Sequence, residues 1–330
     1  MPTLPAQSAL PTAWLTPLPL ADGRVALPTR ILPGPMEGIM TPAFCAVLAA
    51  RGLVRGWITP FLRITTAVPR VTKLAERLAP YRLPTVVQLM STNIDLLVET
   101  ARCVAALGAI GVDLNCACPS KGVIANGAGG ARLREPAWIR EALCRLRAAV
   151  PEIGVSVKLR GGFADAGELP AILAAVREAQ PDFVMLHYRT VREEYRDVPG
   201  GWARLAQAKA LLGDIPLLGA GDLFSALDAL ALWRQTGVDG VTPARGLLRN
   251  PWLLQEIETL CAGRDTPPRT LTESAGFLRD LAAGCLALNE RRTGMLLEVA
   301  RHLFGRESPA FDRLIGARTV EEMRDYLSEL

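Results

Sequence analysis

The chain of 330 residues has no stretch of about 18 uninterrupted apolar residues, so no conventional membrane-spanning helix is expected. It shows no basic leader either: no Lys or Arg precedes Arg24, and prolines interrupt each early apolar run, so no signal peptide is read there. It has only two histidines, His187 and His302, and no second cysteine pair to complete a zinc site with Cys116 and Cys118. Those two cysteines are separated by one residue where a redox pair has two, which argues against CxxC chemistry. No metal is expected. The seven cysteines (Cys45, Cys103, Cys116, Cys118, Cys144, Cys261, Cys285) are odd in number and sit mostly in apolar helical patterns. A disulfide framework explains them poorly, and a reducing cytoplasm is the expected compartment. Strong charge is missing too. The net charge of +4 does not by itself separate a nucleic-acid binder from an ordinary enzyme. From Gly263 onward ten basic residues face eleven acidic ones, so the excess lies in the larger part of the chain.

What is present is apolar sequence in a repeated order. Half of the residues are hydrophobic, enough for one domain of about 250 residues and a smaller one. From Arg30, short apolar runs alternate with stretches of helical period. The strands expected are Ile31–Gly34, Trp57–Phe61, Thr85–Leu89, Gly111–Asn115, Gly154–Leu159, Asp182–His187, Ile215–Gly219 and Gly240–Thr242. The helices expected between them are Pro42–Arg51, Asn93–Leu107, Pro136–Ala149, Glu168–Ala179, Trp202–Leu212, Ser225–Thr236 and Trp252–Leu260. Eight such units predict a (β/α)8 TIM barrel. The doubly wound alternative carries GxGxxG after its first strand, and Pro33-Gly-Pro-Met-Glu-Gly38 is not that motif. Thr270-Leu-Thr-Glu273 has the form of a capping box and predicts the start of an all-helical end. The expected division is an extension over 1–29, a barrel over 30–262 and a helical domain over 263–330.

A β/α barrel gathers its chemistry at the C-terminal ends of its strands. The polar residues there are Gln88, Asn115 with Cys116 and Cys118, Lys158 with Arg160, and His187 with Arg189. Lys158 lies between Val157 and Leu159, so its ammonium needs a partner or must reach the barrel mouth. A single thiol, Cys118 or Cys116, is the candidate acid, since an ordinary thiol with a pKa of about 8.5 keeps its proton at neutral pH. Glycines end the last two strands, in Gly219-Ala-Gly-Asp222 and Ala244-Arg-Gly246. Barrels often bind phosphate at those two loops, with Arg245 here as the charge. Asn126-Gly-Ala-Gly-Gly130 reads as a flexible segment near the site.

Pro35-Met-Glu-Gly38, Asp113-Leu-Asn-Cys-Ala-Cys-Pro-Ser-Lys121, Val157-Lys-Leu-Arg160, His187-Tyr-Arg-Thr190 and Ala244-Arg-Gly246 resemble, in order and spacing, the tRNA-dihydrouridine synthases. Trp57-Ile-Thr-Pro-Phe-Leu-Arg63 and Glu194-Tyr-Arg196 look closest to the branch acting on uridine 16 of the D-loop. The resemblance implies a cytoplasmic, monomeric, FMN-dependent enzyme that reduces the uracil C5–C6 bond of tRNA, with NADPH as reductant. It makes Cys118, the cysteine before Pro119, the acid. It implies that Pro35, Met36, Gln88, Lys158 and His187 surround the flavin, and that Gly219, Ala220, Gly221, Asp222, Ala244, Arg245 and Gly246 surround its phosphate. Asn115 would hold the uracil, and Arg63, Arg189 and Arg196, with Arg192, would meet the RNA. Ala220, Ala244 and Tyr188 depart from the family pattern, which usually has Asn, Gly and Gly there. Tyr188 is expected to crowd the cofactor. Two other readings are an FMN barrel oxidoreductase for a small pyrimidine or enone, and a non-catalytic tRNA-binding homologue.

Overall fold

The computed structural model describes residues 9–291 and 293–330; the first eight residues of the expected extension, and Arg292 of the helical end, lie outside the described residues. From Leu18 the extension folds into an antiparallel hairpin of β1 (Leu18–Leu20) and β2 (Val25–Leu27). Its turn places Ala21, Asp22 and Gly23 at positive φ, as a tight hairpin requires. Leu18, Leu20 and Leu27 pack against Val86, Phe183, Met185 and Leu218, side chains of the barrel interior. The Ala21 N–H donates to Asp182 Oδ1 at 2.8 Å, and Trp14 Nε1 donates to the Val238 carbonyl at 3.1 Å. The hairpin therefore closes one end of the barrel, leaving the other for chemistry.

The barrel sheet is parallel throughout. It comprises β3 (Trp57–Ile58), β4 (Leu62–Arg63), β5 (Thr85–Met90), β6 (Gly111–Cys116), β7 (Gly154–Arg160), β8 (Phe183–His187), β9 (Leu217–Ala220) and β10 (Gly240–Val241). The order is β10-β9-β8-β7-β6-β5-β3, with β4 also on β5. Pro60 divides β3 from β4, because its nitrogen has no hydrogen for the ladder. The expected first strand is thinned for the same reason. Ile31 bridges Val241, and the Leu32 and Gly34 N–H groups donate to the Val241 and Pro243 carbonyls. Successive N–H groups in a strand point to opposite sides, and those that would face β3 belong to Pro33 and Pro35. The architecture is the expected TIM-type β/α barrel, with its first strand reduced by its own prolines.

The helices of the barrel portion are α1 (Pro42–Ala50), α2 (Val71–Leu78), α3 (Ile94–Ala106), α4 (Lys121–Ala125), α5 (Pro136–Ala149), α6 (Leu169–Ala179), α7 (Ala203–Leu212), α8 (Ala226–Thr236), α9 (Arg245–Arg249) and α10 (Leu253–Cys261). In α5, Ile139, Ala142, Leu143 and Leu146 recur at i, i+3, i+4 and i+7 and are buried, so one stripe faces the sheet. Asn93 and Ser225, expected as first helical residues, are N-caps whose side chains accept from Leu96 and Asp228 N–H groups. Beyond residue 263 follow α11 (Leu271–Ala287), α12 (Gly294–Leu303), α13 (Pro309–Gly316) and α14 (Val320–Leu327). The Thr270–Glu273 capping box opens α11 as expected. Phe277 of α11 sits between Phe44 (6.4 Å, edge-on) and Trp252 (5.4 Å), and Arg51 pairs with Asp280 at 2.6 Å. The helical end is thus packed on the barrel flank. Among the described residues no helix is long and apolar enough to cross a membrane.

Candidate active site

A cavity of about 740 Å³ opens at the C-terminal ends of the strands. That lies in the range of cofactor and small-molecule sites. Of the expected residues, Pro35, Met36, Gln88, Asn115, Cys118, Lys158, His187, Ala220, Gly221, Asp222, Ala244, Arg245 and Gly246 line it. Gly219, Arg63, Arg189 and Arg196 are not on its wall.

Strand alternation separates the two candidate thiols. Asp113 and Asn115 of β6 face the barrel interior beside Gln88 and Ser156, so Val112, Leu114 and Cys116 face the surrounding layer. Cys116 is fully buried among the outer core residues, and burial pushes its thiol well above the ordinary range. Cys118, past the strand end, is half-buried on the cavity wall, against Met90, Val123 and Ala128. Its loop is held from several sides. Asn115 Oδ1 accepts from the Ala117 and Cys118 N–H groups, each at 3.1 Å. Arg160, 3% exposed, donates to the Ala117 carbonyl at 3.0 Å and to the Thr190 and Glu194 carbonyls at 2.9 and 2.8 Å. Arg160 therefore ties the thiol loop to the loop after β8.

The stretch 126–130, expected to be flexible, is packed at its end. Gly129 and Gly130 are buried, and the Gly130 N–H donates to the Cys118 carbonyl at 3.0 Å. A Cβ on Gly130 would lie 2.6 Å from Val191 Cγ2 and 3.0 Å from that carbonyl. Gly130→Ala is expected to destabilise the fold by about 1–3 kcal/mol through overpacking. Urea denaturation checks this, and adding Val191→Ala should recover part of the loss.

The cavity floor is cationic. Lys158 makes no ion pair or hydrogen bond among the described residues and lines the cavity, the second of the two alternatives its sequence position allowed. Burial, reinforced by the Arg160 charge, lowers its pKa to about 8, with Asp113 opposing. His187 is held well below its ordinary value by burial first, then by Arg160, Lys158, Arg189 and Arg245, so it is neutral at pH 7. Its Nδ1 accepts from the Arg189 N–H at 3.2 Å, which leaves the proton on Nε2. Burial raises the fully enclosed Asp113 carboxyl to about 7, against the hydrogen bonds from Gln88 and Ser156 and the charge of Lys158. An unfolded Asp titrates near 3.9, so the unfolded chain releases this proton first. The contribution of this group to stability thus falls as pH rises from about 4 to about 7 and is constant above. Asp113→Asn is expected to have a Tm that gains on wild type between pH 5 and pH 8, measured by thermal denaturation.

At the far end of the cavity Asp222, at φ 49°, is a hub. Its Oδ1 accepts from Arg245 at 2.6 Å, and its Oδ2 accepts from Tyr188 Oη at 2.8 Å and from Arg189. Burial alone would raise the Asp222 carboxyl, but the bonds from Arg189 and Tyr188 and the Arg245 charge hold it below the ordinary value. Tyr188 does not crowd the cavity as expected. It is 4% exposed, absent from the wall, and stacked on His187 with ring centres 5.4 Å apart. Its ring fills the space a Cβ would take on Gly201 or Gly221. Arg189, expected at the mouth facing RNA, is 2% exposed and bonded to Asp222 and the Arg196 carbonyl. Arg63, Arg192 and Arg196 are exposed. Of the aromatic rim, the sequence reading held Tyr195 only as the centre of Glu194-Tyr-Arg196 and did not name Phe224. Tyr195, 56% exposed, lies under Arg245 (4.7 Å) and Arg160 (5.4 Å), and Phe224 lies under Arg249 (3.8 Å). Among the described residues no group of three His, Cys, Asp or Glu side chains is placed to hold a metal ion.

Residues 32–324 match the sequence model described as dihydrouridine synthase (Dus). The chain is 33% identical over 257 residues to a probable tRNA-dihydrouridine synthase 1 of Synechocystis sp., covering 75% of this chain and 69% of that protein. It is 30% identical over 239 residues to a tRNA-dihydrouridine(16) synthase of Pasteurella multocida, covering 69% of this chain and 76% of that one. Among solved structures, 2-naphthoyl-CoA reductase in complex with 2-naphthoyl-CoA aligns with a TM-score of 0.56 at 14% identity. That alignment covers 77% of this chain and 53% of the other, so it speaks to the shared barrel alone.

Proposed function

The chain belongs to the dihydrouridine synthase family, and from that premise we propose that it reduces the C5–C6 bond of a D-loop uridine in tRNA, at position 16, with FMN in the cavity and NADPH as the reductant. The observation that carries the reading is one thiol, Cys118, on a fixed loop facing a cationic cavity lined by glycine-bearing strand ends.

The residues present fit a flavin mononucleotide. The Gly221, Asp222, Arg245 and Gly246 N–H groups donate to no protein acceptor among the described residues, as an anion cradle requires. Thr242 Oγ1, on the cavity wall, is buried without a partner, and a Cβ on Gly34 would lie 2.7 Å from the Thr242 carbonyl. Ala220 removes the amide the family pattern has there and Ala244 adds a methyl group, while the backbone N–H groups of the wall remain open. Gly219, Ala220, Gly221, Asp222, Ala244, Arg245 and Gly246 would surround the phosphate. Gln88 and Lys158 would meet the polar edge of the ring, where the Lys158 charge favours a reduced, anionic ring. Pro35 and Met36 would approach through the backbone, and neutral His187 would offer its Nε2–H. When bound, FMN supplies the hydride that goes to C6.

The protein supplies the proton. Cys118 Sγ–H donates to C5, and the thiolate left behind lies in the field of Lys158 and Arg160. Asn115, fixed by the Ala117 and Cys118 N–H groups, would hold the uracil over this thiol. The target base must leave its stack to reach the site. Arg63, Arg192 and Arg196 would take the RNA phosphates at the opening, while Arg189 acts by holding the loop that carries Arg192 and Arg196. The helical end over 263–330 would complete the grip on tRNA. The enzyme would act as a monomer in the cytoplasm. Arg63→Ala or Arg196→Ala should weaken tRNA binding and reduce the slope of affinity against salt by about 1 in a log–log plot. Filter binding across a salt series measures it. The reading itself is tested by mapping dihydrouridine by mass spectrometry in tRNA from a strain lacking this protein. Loss at position 16 is expected, and full modification of every D-loop uridine would overturn it.

A further inference from the structure

We infer that Asp113, one layer beneath the cavity and absent from its wall, is a positioning residue that sets the direction of a hydrogen-bond chain ending on the Cys118 backbone. The chain is buried at its start. Asp113 is 0% exposed, Gln88 1% and Asn115 6%. Gln88 Nε2 donates to Asp113 Oδ2 at 2.8 Å, and Ser156 Oγ donates to Asp113 Oδ1 at 2.8 Å. Asn115 Nδ2 donates to Gln88 Oε1 at 2.7 Å, and Asn115 Oδ1 accepts from the Ala117 and Cys118 N–H groups at 3.1 Å.

A side-chain amide has nearly the same shape either way round, so packing alone does not choose which end of Gln88 faces Asn115. Ionised, above about pH 7, the Asp113 carboxyl can only accept, and so fixes the nitrogen of Gln88 toward itself. The Gln88 oxygen must then face Asn115, which turns its nitrogen to Gln88 and its oxygen to the two backbone N–H groups. Reversing either amide would set donor against donor or acceptor against acceptor in a buried place, where each group left unpaired carries its full cost of desolvation. Asp113 is the one ionisable side chain in the chain of bonds, and it lies across the strand pair β5–β6 from Gln88 at the same register position. Its neighbour Ser156 lies at the matching position of β7. The rest of the site follows from that choice. Gln88 keeps its second N–H for the cavity, and Cys118 keeps its loop.

The functional weight of this inference rests on the reading of Cys118 as proton donor, but its geometry does not. Two substitutions separate direction from charge. Asp113→Asn removes the charge, yet it can keep an oxygen toward Gln88 and donate its nitrogen to Ser156 Oγ. Asp113→Leu removes the acceptor as well. The measurement is the rate of Cys118 alkylation by iodoacetamide, read peptide by peptide on the full-length protein, with exposed Cys144 as internal control. Asp113→Leu is expected to change the Cys118 rate by about threefold or more, because thiol reactivity follows its surroundings. Asp113→Asn should match wild type, and Cys144 should not change. The matching kinetic expectation is a fall in kcat with little change in KM for tRNA in Asp113→Leu, restored in Asp113→Asn. An unchanged Cys118 rate in folded Asp113→Leu, or an equal change in both variants, overturns the inference. Should Asp113→Leu not fold, Gln88→Met severs the chain one link later, and an unchanged Cys118 rate there overturns it equally. A Cys118→Ala enzyme with full activity would sink the proton-donor reading while leaving the alkylation result standing.

Discussion

Cys118→Ala is expected to lower the rate of uridine reduction by about 10²–10⁴, the usual contribution of a positioned general acid. Flavin and tRNA affinities should stay as in the parent, because Cys118 is one lining residue among many. The second thiol supplies the control. Cys116 faces the helix layer of the barrel, buried, with a thiol that holds its proton far above neutral pH. Cys116→Ala should therefore turn over near the parental rate. Single-turnover oxidation of the reduced enzyme by unmodified tRNA separates the two. A slow Cys116→Ala beside a fast Cys118→Ala would mean that proton transfer runs from the other side of β6. Cys118→Ser should fall between, since a hydroxyl occupies the same place but gives up its proton far less readily.

The second large effect is expected of Asp222→Ala. Arg189 is 2% exposed, and its ion-pair partner is Asp222, with the Arg196 carbonyl as its other acceptor. Removing one partner of a buried pair leaves an uncompensated charge and typically destabilises by about 3–5 kcal/mol. The loss reaches function as well, because Asp222 also orients Arg245 and Tyr188 at the end of the cavity assigned to the phosphate. Flavin affinity should fall with stability, and both are read from chemical denaturation and flavin titration of the same protein. Arg245→Ala provides the contrast. Its side chain is 41% exposed, so stability should change little while flavin affinity falls. The pH behaviour has a defined sign. The Asp222 carboxyl is depressed, so its contribution is present above the unfolded Asp value near 3.9 and is lost as pH falls through the lower folded value. An Asp222→Ala protein as stable as wild type would show that Arg189 finds another partner.

How far the sequence could be read depended on what each signal measures. Strands β5 to β8 were legible because short segments rich in apolar and β-branched residues, such as Thr85-Val-Val-Gln-Leu89 and Phe183-Val-Met-Leu186, recur between stretches of helical period. Helix starts at Asn93, Ser225 and Thr270 were legible because their caps are chemical, not statistical. The β1–β2 hairpin was not, since three-residue strands containing Pro19 are too short to show alternation, and its anchors Asp182 and Val238 lie far along the chain. Helix α2 was missed in a loop whose Pro69 and charged face resemble a connector. At the site, residue type and strand end located Gln88, Asn115, Cys118, Lys158 and His187 on the cavity wall. Tertiary contacts decided the remainder. Nothing in His187-Tyr-Arg189 says that the tyrosine folds under Gly221 and the arginine turns inward to Asp222. Likewise, Gly129 and Gly130 read as freedom until Cys118 and Val191 are packed against them.

Turnover of tRNA by the purified protein is the most direct test of this function. The purified protein, loaded with FMN and supplied with NADPH, is given unmodified tRNA and, separately, free uridine and a small enone. The tRNA is then digested and its D-loop fragment weighed. The account predicts that this fragment gains the mass of a hydrogen pair at position 16, with NADPH consumed in step and free uridine scarcely touched. Rapid reduction of the small molecules with the tRNA fragment unchanged in mass would contradict it.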